Sequence, residues 1–255
     1  MKIKDYIQQR RMIHELKSSH GEGTILQKGK YGSVYMPSNA PEVPEWKVQG
    51  PTDFDKFIKR YNLSAIDKAT AKIVQYTMAS RGSVEASKNV TMIIPIFKDI
   101  FGRKWVILQE EARPIDIARN GIDARQLAFP AGIIGDEAAF KSETATASAV
   151  RELIEETGLL PKKIVNLLPK TVSGGKSTTI PIMTSPGLTD ESTYFFKAII
   201  DTIKPAQKAK TDGGVTRGWH FVPLKHIMKW FDEMSKIGKT PSGQTLSAIA
   251  LLLKK

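Results

Sequence analysis

Residues 131–160 read AGIIGDEAAFKSETATASAVRELIEETGLL, with five glutamates, an arginine at Arg151 and a close on Thr157-Gly158. From residue 144 to residue 157 there is no glycine or proline and alanine is frequent, which predicts a helix stopped by Gly158 just past its end. At about 100° per residue, Ala147, Val150, Leu153, Ile154 and Thr157 share one side, and Glu152, Glu155 and Glu156 fall in an arc on the other. Like charges at this spacing repel by about 0.2–0.5 kcal/mol per pair. A solvated acidic face is one explanation for such an arc. A bound cation is the other, and hard divalent ions such as Mg2+ take carboxylate and carbonyl oxygens and bridge to phosphates. Ala145, Ser148 and Ala149 flank the arc and are expected to leave room for a ligand.

Upstream, VTMIIPIF and KWVILQEEA are rich in β-branched and aromatic residues and are separated by a glycine-containing turn, which predicts a hairpin. Residues 126–134 read as a strand entering the glycine-containing loop before the acidic helix. Downstream, residues 164–168, 170–172, 192–200 and 216–222 read as strands, residues 224–237 as a helix, and residues 244–253 as a second, more apolar helix. A mixed sheet with helices on its faces is the packing this order implies. Residues 1–50 are less regular, with a helix candidate at 6–18 and then Pro41, Pro44 and Pro51 marking extended or linking chain. Residues 52–61 and 64–79 read as helical, with a strand as the alternative for 73–78.

The 255 residues, 41% apolar, suffice for one large domain or a catalytic domain with a companion. Zero cysteines exclude disulfides and thiolate chemistry. A polar start and the lack of a long apolar run predict a cytoplasmic protein that does not enter a membrane. The net charge of +12 suggests polyanionic or phosphorylated partners. The lysines are scattered, and no arginine stripe interleaved with aromatics marks a dedicated nucleic-acid surface.

Glu143, seven residues, Arg151-Glu152-Leu153, one residue, Glu155-Glu156, one residue and Gly158-Leu159 resemble the Nudix box. Ten residues separate Gly132 from Glu143, a longer loop than the family pattern has. Glu137 is the alternative to Glu143 in this alignment. Phe129-Pro130-Ala131-Gly132 resembles the segment leading into the box in the ADP-ribose and ADP-sugar pyrophosphatase branch. The stretches from Gln109 to Pro114 and from Ser185 to Glu191 resemble its arginine-bearing segment and its SPG loop.

This resemblance implies an α/β fold, a Nudix-type α/β/α sandwich with a mixed sheet over residues 86–255, preceded by an N-terminal α+β extension over residues 1–85. It implies a metal set of Glu152, Glu155, Glu156 and the Ala131 carbonyl, with Mg2+ the expected ion and Mn2+ the alternative. Arg151 would pair with Glu143 to fix the loop, with Gly132 and Gly158 as structural glycines. Arg113, Phe129, Ser185 and Gly187 would contact substrate, and Glu191 or Asp212 would orient or deprotonate the attacking water. The implied reaction is hydrolysis of a small-molecule nucleotide sugar, ADP-ribose first, yielding AMP and ribose 5-phosphate. Another nucleoside diphosphate derivative, such as a capped or NAD-linked RNA end, is a second reading. A non-catalytic ADP-ribose sensor that contacts nucleic acid is a third. Relatives in this branch imply a homodimer built through N-terminal strands.

Overall fold

The computed structural model describes residues 23–28, 33–37, 59–66, 73–80, 89–113, 125–136, 138–173, 176–185, 189, 191–206 and 216–254. The expected helix at 6–18, Pro41, Pro44, Pro51, residues 52–58, Glu137, Gly187 and Asp212 lie outside them.

Four strands precede the acidic-helix region: β1 (Gly23–Lys28), β2 (Ser33–Pro37), β3 (Lys59–Ile66) and β4 (Ile73–Ser80). The helical reading is corrected at residues 59–61 and 64–79, and the strand alternative holds for 73–78, because β3 and β4 pair antiparallel from Lys59↔Ser80 to Ile66↔Ile73. Tyr61, Leu63 and Ala65, and Val74, Tyr76 and Met78, recur at the two-residue period of a strand, and the facing strand completes the ladder. Strand β2 joins the main sheet through Trp219↔Tyr35, so part of the N-terminal region extends the sheet of the acidic-helix region.

The expected hairpin is β5 (Val90–Lys98) with β6 (Lys104–Glu111), paired through Ile96↔Val106 and Phe97↔Trp105. All of β5 but its last residue is buried, as an apolar strand covered on both faces requires. Pro95 lies between the stretches of β5 that pair with β6 and with β8 (Ala131–Ile133), where its missing N–H leaves no ladder bond unmade. β7 (Arg125–Ala128) runs beside β6, and α1 (Ala145–Thr157) follows β8. Thr144 caps α1 by accepting from the Ala147 N–H, and Gly158, at φ 69°, ends it in the left-handed region.

After α1 come β9 (Lys163–Asn166), the hairpin β10 (Lys170–Ser173) with β11 (Lys176–Thr179), β12 (Ile182–Met183), β13 (Ser192–Ile200) and β14 (Thr216–Pro223). β11 and β12 lie where the sequence suggested only a loop. α2 (Ile227–Ser235), β15 (Lys239–Pro241) and α3 (Gly243–Leu253) complete the order.

Among the described residues the main sheet has eleven strands, with the path β1-β2-β14-β6-β5-β13-β12. β13 and β5 are parallel and most other pairs antiparallel. One face packs Ile93, Ile107 and Phe196 against Ala149 and Leu153 of α1. The other packs Met92, Leu108 and Phe129 against Trp230 of α2 and Ile249 of α3. The result is an α/β/α sandwich on a mixed sheet.

Candidate active site

The acidic helix meets the sheet differently from its wheel. Ser148, Ala149, Glu152, Leu153 and Thr157 are its buried residues, whereas Val150 and Ile154 are half-buried and Ala147 is exposed. Two expectations are thereby corrected. Glu152 belongs to the buried side, and Ser148 and Ala149 leave no room for a ligand, because Ser148 Oγ meets Thr91 Oγ1 of β5 at 3.1 Å. The sheet selects the rotation that buries small residues, since small side chains let a helix approach closely.

Arg151 organises the loop. Its Nε and Nη2 donate to the two Glu143 oxygens at 3.2 and 2.8 Å, and Nη2 also reaches the Ile133 carbonyl at 3.3 Å. Glu143 accepts the Gly135 N–H at 2.9 Å, and the guanidinium lies 4.7 Å from the Phe140 ring centroid. This bonding, with Arg151 foremost, holds the Glu143 carboxyl below its ordinary range. Nη1 of Arg151 also holds Glu152 at 2.8 Å and Glu155 at 3.2 Å.

Glu152 is 7% exposed, with its carboxylate directly over Gly132 of β8. A Cβ at position 132 would overlap that carboxylate. Gly132→Ala is therefore expected to drive the Glu152 carboxylate off β8 and lower turnover by about 10- to 100-fold, with little change in melting temperature. Steady-state kinetics beside a melting curve measures both, and wild-type turnover in the variant would show that the contact has no role in the reaction.

Burial raises the Glu152 carboxyl to about 7, with Arg151 opposing and Glu155 and Asp136 adding to the rise. A carboxyl raised above its usual 4.5 favours the folded state in its protonated form, so this stability is complete below about pH 4.5 and is lost as pH rises through about 7. Denaturant unfolding in EDTA at pH 5 and pH 7.5 should show the loss, and Glu152→Gln should reduce it. An equal loss in the variant would assign the titration elsewhere.

Glu156 is pushed well above the ordinary range, by burial first and then by the charges of Glu111 and Glu152. Its Oε2 is buried without a hydrogen-bond partner. Gln109, fully buried on β6, donates to the Glu156 carbonyl at 3.5 Å while its own Oε1 has no partner. Glu111, at the end of β6, is buried and pairs with Arg113 at 2.5 Å. Glu111 had drawn no attention in the sequence; its position two residues after Gln109 on an alternating strand was the available signal.

The remaining candidates are spread around the sheet. Phe129 is fully buried in the core on the α2–α3 side, with its ring among core side chains. Ala131 lies on β8 opposite Met92. Ser185 is exposed, and its carbonyl accepts the Thr189 N–H at 2.9 Å. Glu191 accepts from Gln244 of α3 at 3.4 Å, on the face of the sheet opposite α1.

Hard oxygen donors at Glu152 and Glu156, one of them buried with no partner, suit a divalent cation by chemistry. Among the described residues no three His, Asp or Glu side chains are assembled to hold an ion. Arginines already occupy oxygens of Glu111, Glu152 and Glu155.

A mixed sheet lies between helix layers, with a carboxylate-bearing helix tied by an arginine to the loop before it. The NUDIX domain model matches residues 89–239, more than half of the chain. The chain belongs to the Nudix family of hydrolases, enzymes that generally depend on a divalent metal.

Among solved structures, that of an ADP compounds hydrolase is 16% identical over 91% of this chain and 93% of its own, with a TM-score of 0.47. A C. elegans Ap4A hydrolase binary complex is 12% identical over 66% and 96%, with a TM-score of 0.38. The NUDIX domain of Shewanella oneidensis NrtR, complexed with ADP ribose, is 12% identical over 68% and 92%, with a TM-score of 0.41. No curated protein matches the chain. Among the described residues, no helix is long and apolar enough to cross a membrane.

Proposed function

We propose that the chain hydrolyses the diphosphate bond of a nucleoside diphosphate sugar, with ADP-ribose, cleaved to AMP and ribose 5-phosphate, as the first substrate. The observation that carries the metal-dependent part is the buried Oε2 of the half-buried Glu156, which has no partner and belongs to a carboxyl raised by desolvation and by Glu111 and Glu152. Like charges gathered in a buried place destabilise the protein alone, and a cation is what compensates them. The sugar-nucleotide part rests on the resemblance of the segments around Arg113, Ala131 and Ser185.

When bound, Mg2+, with Mn2+ as the substitute, offsets charge on the phosphoryl oxygens. Glu152, Glu156 and the Ala131 carbonyl would hold it, and Glu155 would add a ligand or orient water. Arg151 and Glu143 keep the loop seated against α1. The Arg113 guanidinium clamps the diphosphate, and Ser185 and Gly187 line the substrate. Water attacks one phosphorus, the bond from that phosphorus to the bridging oxygen breaks, and the leaving phosphate takes the electron pair. The water proton passes to a loop carboxylate, Glu191 or Asp212. Gln244 bonds Glu191 on the α3 side, which supports Glu191 as an oriented carboxylate.

Release of AMP from ADP-ribose with and without Mg2+ tests the reading, and a capped RNA oligonucleotide serves as the competing substrate. Magnesium-dependent AMP release supports it. Cleavage of the RNA end alone replaces the substrate, and tight nucleic-acid binding without hydrolysis replaces the enzyme with a sensor. We also take the protein to be a cytoplasmic homodimer. Light scattering should then give twice the chain mass, and a monomer mass removes that assignment.

A further inference from the structure

Lysines that lie far apart along the chain gather at one end of the main sheet. β9, β13, β5 and β6 are successive neighbours, and β5 and β13 end on the side where β6 and β9 begin. Lys98, the last residue of β5, stands opposite Lys104, the first of β6. Lys163 opens β9, with Lys162 just before it, and all four lysines are exposed. At about 4.8 Å between strands, Lys163, Lys98 and Lys104 span about 14 Å. Like charges directly opposite on neighbouring strands destabilise a sheet, so the fold alone gives no reason for Lys98 to face Lys104. Lys98, Lys162 and Lys163 also line a cleft of about 530 Å3 with Ile199, Ile200 and Asp201. Asp201 pairs with Lys162 at 2.9 Å, but both side chains are largely exposed and the pair opens readily. Asp99 is buried and committed to Arg103 and Trp105. It also closes the β5–β6 turn by accepting the Phe101 and Arg103 N–H groups at 2.9 Å. That turn displays Phe101, 41% exposed, with the Arg103 guanidinium 5.2 Å from its ring centroid.

We propose that this end of the sheet binds single-stranded nucleic acid, with Lys98, Lys104, Lys162 and Lys163 on backbone phosphates and Phe101 as the platform for an unpaired base. A row of ammonium groups beside a cleft follows a phosphate backbone, whereas an anionic membrane presents a plane. An aromatic ring accepts any base by its π-face, and only an unpaired base offers that face. The net charge of +12 adds long-range attraction for a polyanion. Thr91, which pairs with Gly132 of β8, lies about 23 Å along β5 from Lys98. The surface is thus at the end of the sheet away from Glu152, and binding there does not depend on the reaction proposed above.

The test is fluorescence anisotropy of a labelled oligo(dT) of about 15 nucleotides, in EDTA so that nothing is hydrolysed. Wild-type affinity should fall with salt at a log–log slope of about −2 to −3, as three or four phosphate contacts on a single strand require. The combined variant Lys98→Gln, Lys104→Gln, Lys163→Gln should bind about 30- to 100-fold more weakly and bring the slope close to zero. Phe101→Ala should weaken binding about 5- to 50-fold and leave the slope unchanged. These side chains are exposed, so both variants should keep the wild-type melting curve and AMP release from ADP-ribose. Wild-type affinity and slope in the lysine variant overturn the proposal. So does binding to vesicles of phosphatidylserine and phosphatidylcholine with none to oligo(dT), which would assign the surface to a membrane. Wild-type affinity in Phe101→Ala, with a duplex bound more tightly than oligo(dT), removes the unpaired base. Failure of the wild type to release AMP, with oligo(dT) binding intact, would sink the substrate assignment alone.

Discussion

Glu156→Gln is expected to lower magnesium-dependent AMP release from ADP-ribose by on the order of 10²- to 10³-fold and to leave the fold intact. The substitution keeps the shape of the side chain and its place on α1, and removes one charge. In the wild type that charge lies buried, raised by desolvation and by Glu111 and Glu152, with Oε2 unpartnered. Without metal the carboxylate therefore opposes folding, and the amide should melt at the same temperature or higher. Added Mg2+ should raise the melting temperature of the wild type through binding to the folded state. It should fail to raise that of the variant. Activity within about tenfold of wild type, with the Mg2+ stabilisation retained, would remove Glu156 from the cation site.

The largest effect on stability is expected at Glu110 of β6. Glu110 is buried and its Oε2 meets His220 Nε2 and Lys239 Nζ, each at 2.8 Å, while Arg125 lies 3.8 Å from Oε1. Burial pushes the Glu110 carboxyl up, and the hydrogen bonds from His220 and Lys239 with the charge of Lys239 outweigh it, bringing it to about 2. His220 is fully buried and lowered chiefly by desolvation, so its imidazole stays neutral and Nε2–H donates to Glu110. The positive charge comes from Lys239 and Arg125. Glu110→Ala takes away the buried carboxylate that His220 and Lys239 share, and should cost about 3–5 kcal/mol. Denaturant unfolding at pH 7 measures it, and a loss under about 1 kcal/mol would show that water replaces the carboxylate. A depressed carboxyl stabilises the fold above its unfolded pKa of about 4.5, and that stability disappears as pH falls to about 2. The variant should accordingly unfold with a flatter acid dependence over that window.

The legibility of the chain divides along physical lines. Helix α1 was readable to within a residue, because its start at Thr144 and stop at Gly158 depend on local capping chemistry. The β5–β6 hairpin was readable because two continuous buried runs rich in β-branched and aromatic residues flank a turn that Asp99 closes by accepting the Phe101 and Arg103 N–H groups. The β3–β4 hairpin departs from the helical expectation, although Tyr61, Leu63 and Ala65 and Val74, Tyr76 and Met78 carry the two-residue period of strands. β15 pairs with β7 from far along the chain, and three residues carry no periodic signal.

Sequence by itself determined the acidic helix, the spacing of Glu143, Arg151, Glu152, Glu155 and Glu156, and through them the family, because spacing along one helix is set by covalent geometry. Tertiary structure alone decided which side of that helix is buried, and so brought Glu152 onto Gly132 and Glu156 near Gln109 and Glu111. It also joined Glu110 to His220 and Lys239, 110 and 129 residues away. Burial and the proximity of distant charges set the protonation of a carboxylate, and both arise only when the sheet assembles.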